Sequence, residues 1–154
     1  MNNTTIEGRV EGAYALTATA IADLANGHIA LLGNYVKGSY DLAANTAITD
    51  LEMVLVSAEQ FSYEAGKLDK DYVIAAGGLI RVYVPRLALS VSFHSGNFDT
   101  ATAPAVGKYV VPVAGATQMK VVDALGGTEA VAFKIDEVFN NFGQEYVTIR
   151  CIKA

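Results

Sequence analysis

Apolar and polar residues alternate most regularly between Asp71 and Phe93, where three short apolar runs, 72–75, 79–84 and 87–93, are parted by Gly77-Gly78 and Pro85-Arg86. Ile80, Val82 and Val84 alternate with Leu79, Arg81 and Tyr83. In the next run Leu87, Leu89, Val91 and Phe93 alternate with Ala88, Ser90 and Ser92. A repeat of two sends every second side chain to one face of a strand. The pattern therefore predicts strands with one buried face, joined by a sharp reversal at the Gly and Pro positions.

The rest of the chain extends this picture. Residues 14–22 are mostly small with alternating threonines, which suits a strand and also a poor helix, and the extended form is the one expected. Asn26-Gly27 signals a turn ahead of the apolar run 29–32, and Gly33 a second, so a hairpin or tight corner is expected there. Residues 38–50 are small and polar and read as a surface loop leading to 52–56, a short buried strand. Ser57 and Gln60 have capping-box spacing, which predicts one or two helical turns over 57–65. Residues 95–107 read as a long exposed loop. Residues 108–113 and 118–122 bracket a turn and predict a hairpin, with Pro112 at an edge or strand end because it has no amide hydrogen to donate.

Gly126-Gly127 turns the chain again. In 131–142 two periods compete: Val131, Phe133 and Ile135 alternate, whereas Ile135, Val138, Phe139 and Phe142 lie at helical spacing. Turn residues at 140–143, followed by Val147, Ile149 and Cys151 alternating with Tyr146, Thr148 and Arg150, predict a final hairpin. The first twelve residues have little to pack and predict a flexible N-terminal arm. The expected fold is mainly β. Residues 13–154 form a single compact β-barrel or β-sandwich domain with at most one or two short helices, and the arm over 1–12 precedes it.

Composition sharpens this. At 154 residues the chain suits one domain. Hydrophobic residues are 52% and charged ones 18%, which leaves apolar surface for contact with another protein. Eleven basic and sixteen acidic side chains give a net charge of −5, with no basic cluster denser than Lys67 and Lys70. Phosphate binding needs convergent cations, so no nucleic-acid partner is expected. The single Cys151 suits synthesis in a reducing cytosol. Residues 1–11 lack the pattern of a secretory signal, and Asp23, Asn26, Gly27 and His28 interrupt the most apolar segment, so neither a leader nor a membrane span is expected.

Candidate chemistry is sparse. His28, His94 and Cys151 are far apart, which argues against a metal site. His94 with Ser90, Ser92 and Asp99 lacks any nucleophile motif and reads as a loop residue, and Cys151 reads as a small core side chain. Val106-Gly107-Lys108 resembles the end of a phosphate-binding loop, but Thr102 and Tyr109 stand where glycine and Ser or Thr are required. Glu64, Asp69 and Asp71 are flanked by Lys67 and Lys70 and read as a salt-bridged loop. Arg81 is the most informative charge. Inside an apolar strand its guanidinium must either face solvent or clamp a carboxylate. No catalytic residue, cofactor or metal is expected.

The order of these signals resembles the head decoration, or capsid cement, proteins of tailed bacteriophages. The matching stretches are Leu24-Ala25-Asn26-Gly27-His28-Ile29, residues 52–56, Ala76-Gly77-Gly78-Leu79-Ile80-Arg81-Val82-Tyr83, residues 106–110 and the final hairpin, together running over roughly residues 24–153. One departure is Ala88-Leu89, where many relatives place Gly-Asp before the Ser-rich strand. The resemblance implies a non-enzymatic structural protein that is made in the host bacterial cytoplasm and carried on the virion. It would bind the major capsid protein from outside as a homo-oligomer, a trimer favoured. Ile6, Arg9, Val10 and Tyr14 of the arm region, with Arg81, are the expected contact residues. The alternatives are another phage structural component, such as a head fibre base or tail protein, and a small β-barrel ligand-binding module.

Overall fold

The computed structural model describes residues 5–7, 14–44, 47, 52–57 and 73–154. The fold is mainly β, with two sheets packed together. Its strands are β1 (Thr5–Glu7), β2 (Tyr14–Thr19), β3 (Ile29–Val36), β4 (Ser39–Ala43), β5 (Met53–Val56), β6 (Leu79–Val84), β7 (Ser90–His94), β8 (Tyr109–Val111), β9 (Lys120–Val122), β10 (Ala132–Asn141) and β11 (Gln144–Lys153). A 3-10 turn, Ser95–Asn97, follows β7. One sheet has the order β1-β7-β11-β10-β8-β9 and is antiparallel throughout. The other runs β2-β4-β3-β5-β6 and closes on itself, because β6 pairs back along β2. Its one parallel seam, β2 with β4, holds only Ala18↔Tyr40 and Thr19↔Asp41.

Two apolar cores follow from the alternation. Ala18, Leu24, Ala30, Val54, Val56, Ile80 and Val82 fill the closed sheet. Ile29, Met53 and Leu55 turn the other way and meet Val91, Phe93, Phe133, Ile135, Val147, Ile149 and Cys151 of the six-stranded sheet. β5 is buried at all four positions, since Met53 and Leu55 serve the layer between sheets while Val54 and Val56 serve the barrel interior. Each such side chain contributes roughly 1.5–3 kcal/mol, so this short strand ties the two halves together.

β10 is a strand along its length, paired with β8 on one side and β11 on the other, which settles the competition between periods in favour of two. The β11 ladder, which continues through Val138 and Phe139 to Asn141, outweighs their helical spacing, and Phe142 falls in the turn. The final hairpin turns at Phe142 (φ 50) and Gly143 (φ 79), and the β3–β4 hairpin at Lys37 (φ 49) and Gly38 (φ 91). Two successive positive φ values match the twist of two-residue hairpins. The hairpin over 108–122 is formed by β8 and β9, with Pro112 just past the end of β8.

Several expectations are corrected. Gly33 is no turn; it lies within β3 at a register shift, where a Cβ would stand 2.6 Å from the Asp41 carbonyl oxygen. Glycine serves there for close backbone approach. Residues 38–50 are not all loop, since β4 occupies Ser39–Ala43 and buries Ser39 and Leu42. The loop 95–107 sinks Asn97 and Phe98 inward, Phe98 lying edge-on to Phe93 at 6.1 Å. The run 87–93 enters its strand only at Ser90, because Leu89 N–H bonds the Arg86 carbonyl and Ala88 takes φ 71, leaving Leu87 exposed. The turn therefore survives without glycine. The helical turns over 57–65, apart from Ser57, and the start of the run 72–75 lie outside the described residues. Of the arm over 1–12, Thr5–Glu7 pairs with β7 as an edge strand, and the remainder lies outside the described residues.

Candidate interaction surface

The β2–β6 ladder presents one face to the barrel interior and one outward. Leu16↔Val82 and Ala18↔Ile80 point in; the intervening pairs Thr17↔Arg81 and Thr19↔Leu79 point out. Beyond the strand ends the ladder is continued by Gly77 N–H to the Ala20 carbonyl, 2.8 Å, and by the Leu24↔Ile74 bridge. These bonds bring the exposed Ile21 and Val73 to the same end as Leu79, which is 71% exposed. Outward on the ladder itself stand Thr17, Thr19, Leu79 and Arg81, and Ile21 and Val73 are exposed just beyond its end. Arg81 thus takes the solvent-facing of its two expected positions. The nearby Asp23 carboxylate accepts from Ala76 N–H at 3.2 Å.

Of the other expected contact residues, Tyr14 opens β2 opposite Val84, on the same ladder as Arg81. Ile6 pairs with Val91 at the far edge of the six-stranded sheet, so the structure does not bring it to that face. Arg9 and Val10 lie outside the described residues.

The candidates for chemistry are engaged elsewhere. His28 follows the Asn26-Gly27 turn, with Nδ1 3.3 Å from Thr117 Oγ1, and desolvation by burial lowers its pKa, which favours the neutral ring. His94 Nδ1 accepts from Gly96 N–H at 2.9 Å, and its ring stands edge-on to Tyr146. The Ser92 hydroxyl pairs with that of Thr148 at 2.8 Å, and the Asp99 carboxylate accepts from Ala101 N–H, so the three side chains do not converge as a triad. Cys151 is buried between the sheets, and burial pushes its thiol up to about 11, away from thiolate chemistry. The turn at 106–108 delivers the chain to β8, with Gly107 N–H bonded to the Ile135 carbonyl and Lys108 Nζ 3.0 Å from Asp123. Among the described residues no group of three His, Cys, Asp or Glu side chains is placed to hold a metal ion. The acidic group Glu64, Asp69 and Asp71 lies outside them.

Two features were not anticipated from the sequence. One is the tip of the β10–β11 hairpin, where Phe142 is 94% exposed. The Asn-Phe-Gly run at a two-residue turn could have signalled an outward aromatic. The other is a cleft of about 460 Å³ at the β8–β9 end, walled by Val111, Pro112, Val113, Ala114, Val122 and Ala124, with Lys120 and Glu129 as its charged groups. Glu129 accepts from Gly126 N–H (2.7 Å) and Gly127 N–H (2.9 Å). These bonds and the one from its own amide hold its carboxyl below the usual range. Nothing in the primary pattern places these loops side by side. Compared with known proteins, the chain matches no family model, no curated protein and no solved structure.

Proposed function

We propose that this chain is a non-enzymatic structural protein that binds the outside of a tailed-bacteriophage capsid and stabilises the shell. The observation that carries the reading is the outward face of the β2–β6 ladder, where Leu79 and Arg81 stand exposed on β6, with the exposed Ile21 and Val73 just beyond the strand ends. Rigid apolar side chains beside a guanidinium suit a flat protein surface that offers carboxylates, because the backbone is already ordered and little freedom is lost on docking. The stretch Ala76 to Tyr83, one of those that carry the resemblance, contributes Leu79 and Arg81 to this surface.

A shell offers many equivalent sites. A modest interface of about 800 Å² per partner, repeated over neighbouring subunits, gains avidity without new contacts. The ligand-binding alternative is disfavoured by the interior of the closed sheet, which is occupied by its own side chains, Leu24, Val54, Val56, Ile80 and Val82. The test is quantitative mass spectrometry of gradient-purified phage particles from the source, read as copies of this chain per major capsid subunit. A ratio near one, or a simple fraction such as one third, is expected. A handful of copies would transfer the reading to a fibre or tail part, and complete absence would end it.

A further inference from the structure

Phe142 combines two unfavourable features. Its backbone sits at φ 50, where a bulky side chain is an outlier and Asn or Gly is usual, and its ring is almost wholly in water. The tip is nevertheless well made, since the Asn140 side-chain oxygen accepts from Gly143 N–H at 2.9 Å. A strained residue on an ordered turn points to a use for its side chain, and exposed aromatics on rigid elements are the usual anchors of protein contacts.

The same chain carries a matching recess. The cleft beside β8 and β9 is walled by Val111, Pro112, Val122 and Ala124, and its volume, about 460 Å³, is ample for a phenyl ring. Phe142 cannot reach the cleft of its own chain. β8 pairs with the start of β10, Val110↔Phe133 and Tyr109↔Lys134, and runs away from the tip toward Val111. From Phe133 to Phe142 the strand covers roughly 30 Å at about 3.3 Å per residue. Knob and recess therefore stand at opposite ends of the six-stranded sheet.

Charge favours the same pairing. The exposed Glu145 lies beside the tip. Lys120 is exposed at the cleft, and Lys153, whose Nζ donates to the Gly127 carbonyl, stands near it. Glu129, the carboxylate of the cleft, is already turned onto the Gly126 and Gly127 amides. The two charges of the cleft, Lys120 and Glu129, balance, and Asp123 beside it is paired with Lys108, so Glu145 at the tip meets an exposed cation, Lys120, in a recess whose carboxylate is turned onto amides.

We infer that Phe142 of one copy inserts into the Val111–Ala124 cleft of a second copy, in a head-to-tail contact. Repeated in one direction such a contact produces a ring or an open chain, and exchanged reciprocally across a two-fold axis it closes a pair. The area is small for a stable complex, so the association is weak in free solution and strengthens where copies are held side by side. The inference is independent of capsid binding, because both halves of the contact belong to this chain.

The test is intermolecular paramagnetic broadening. A nitroxide is attached at Asn141→Cys in unlabelled chain, which is then mixed with isotope-labelled chain; the native Cys151 is buried and does not compete. The amide signals of Val113, Ala114 and Ala124 are expected to broaden while those of Leu79 and Arg81 do not. Adding Phe142→Ser to the spin-labelled chain, or Ala124→Trp to the other, should each reduce the broadening several-fold. Both positions are at the surface, and unchanged circular dichroism verifies folding. No broadening at the cleft at the highest soluble concentration, or broadening that survives either substitution, would overturn the contact. A chain that binds no shell leaves this result unaffected.

Discussion

The layer between the sheets and the interior of the closed sheet are both lined by buried apolar side chains, yet of different kinds. Phe93, Phe98, Phe133, Met53 and Met119 occupy the layer between sheets, whereas Ala18, Ala20 and Ala30 sit among Val, Leu and Ile inside the closed sheet. Geometry accounts for this. Two stacked sheets stand about 10 Å apart and need large side chains to fill the gap. A ring of five strands is narrower than the eight-stranded barrels whose interiors side chains just fill, so small residues must be interleaved. The first core is therefore vulnerable to loss of volume and the second to gain.

The largest expected effect follows directly. Phe133→Ala should lose about 3–5 kcal/mol, a large part of the 5–15 kcal/mol typical of a whole domain, read as a drop in the urea midpoint. In the other core, Ala30→Leu should cost about 1–3 kcal/mol by overpacking. If Ala30→Leu proved neutral, the barrel interior would be looser than its composition implies and the contrast would fail. Because β5 belongs to both cores, thermal unfolding of either variant should remain a single calorimetric transition. Two separated transitions would show the halves to be independent.

A smaller effect concerns the turn that joins the two sheets between β6 and β7. Ala88 holds φ 71, a conformation that costs an L-residue about 1–2 kcal/mol, partly offset in glycine by about 0.5–1 kcal/mol of backbone entropy. Ala88→Gly should therefore stabilise by up to about 1 kcal/mol, seen as a higher melting temperature.

The smallest effect is in pH. His28 packs beside Thr117, and its folded pKa is depressed below the ordinary 6.5 by burial. Its stabilising share is fully present above that ordinary value and is lost as pH falls through the folded value, because the unfolded chain takes up the proton first. His28→Gln should flatten the midpoint against pH in that window. An unchanged slope would assign the acid sensitivity to other groups such as Glu129, whose depressed carboxyl acts in the same direction at lower pH.

Much of this fold was legible because alternation is a local signal. Ile80 and Val82 declare the inward face of β6, and Val147, Ile149 and Cys151 that of β11, without knowledge of any partner strand. Other elements were concealed by the same locality. β4 is short and half exposed, so its residues pass for loop. Gly33 carries the usual mark of a turn, but its role depends on the Asp41 carbonyl of the next strand. Tyr146 and Thr148 fall on what alternation assigns to the outer face of β11, yet both are buried, one against Phe139 and His94 and the other bonded to Ser92. At the candidate surface, the sequence singled out Arg81 as a charge within an apolar strand. That Leu79, Ile21 and Val73 flank the same end of its ladder depended on the pairing of β2 with β6, a contact between distant segments.

By itself the sequence determined the class of the fold, the positions of most strands, the final hairpin and the side of β6 that is buried. Each depends on periods and turn residues within a few positions of one another. Only the tertiary structure decided that β5 serves two cores, that one sheet closes through β2 and β6, and that Phe142 and the cleft beside β8 stand at opposite ends of the other sheet. These depend on which strands pair across long separations, and pairing is selected by the summed burial of both faces rather than by any one segment.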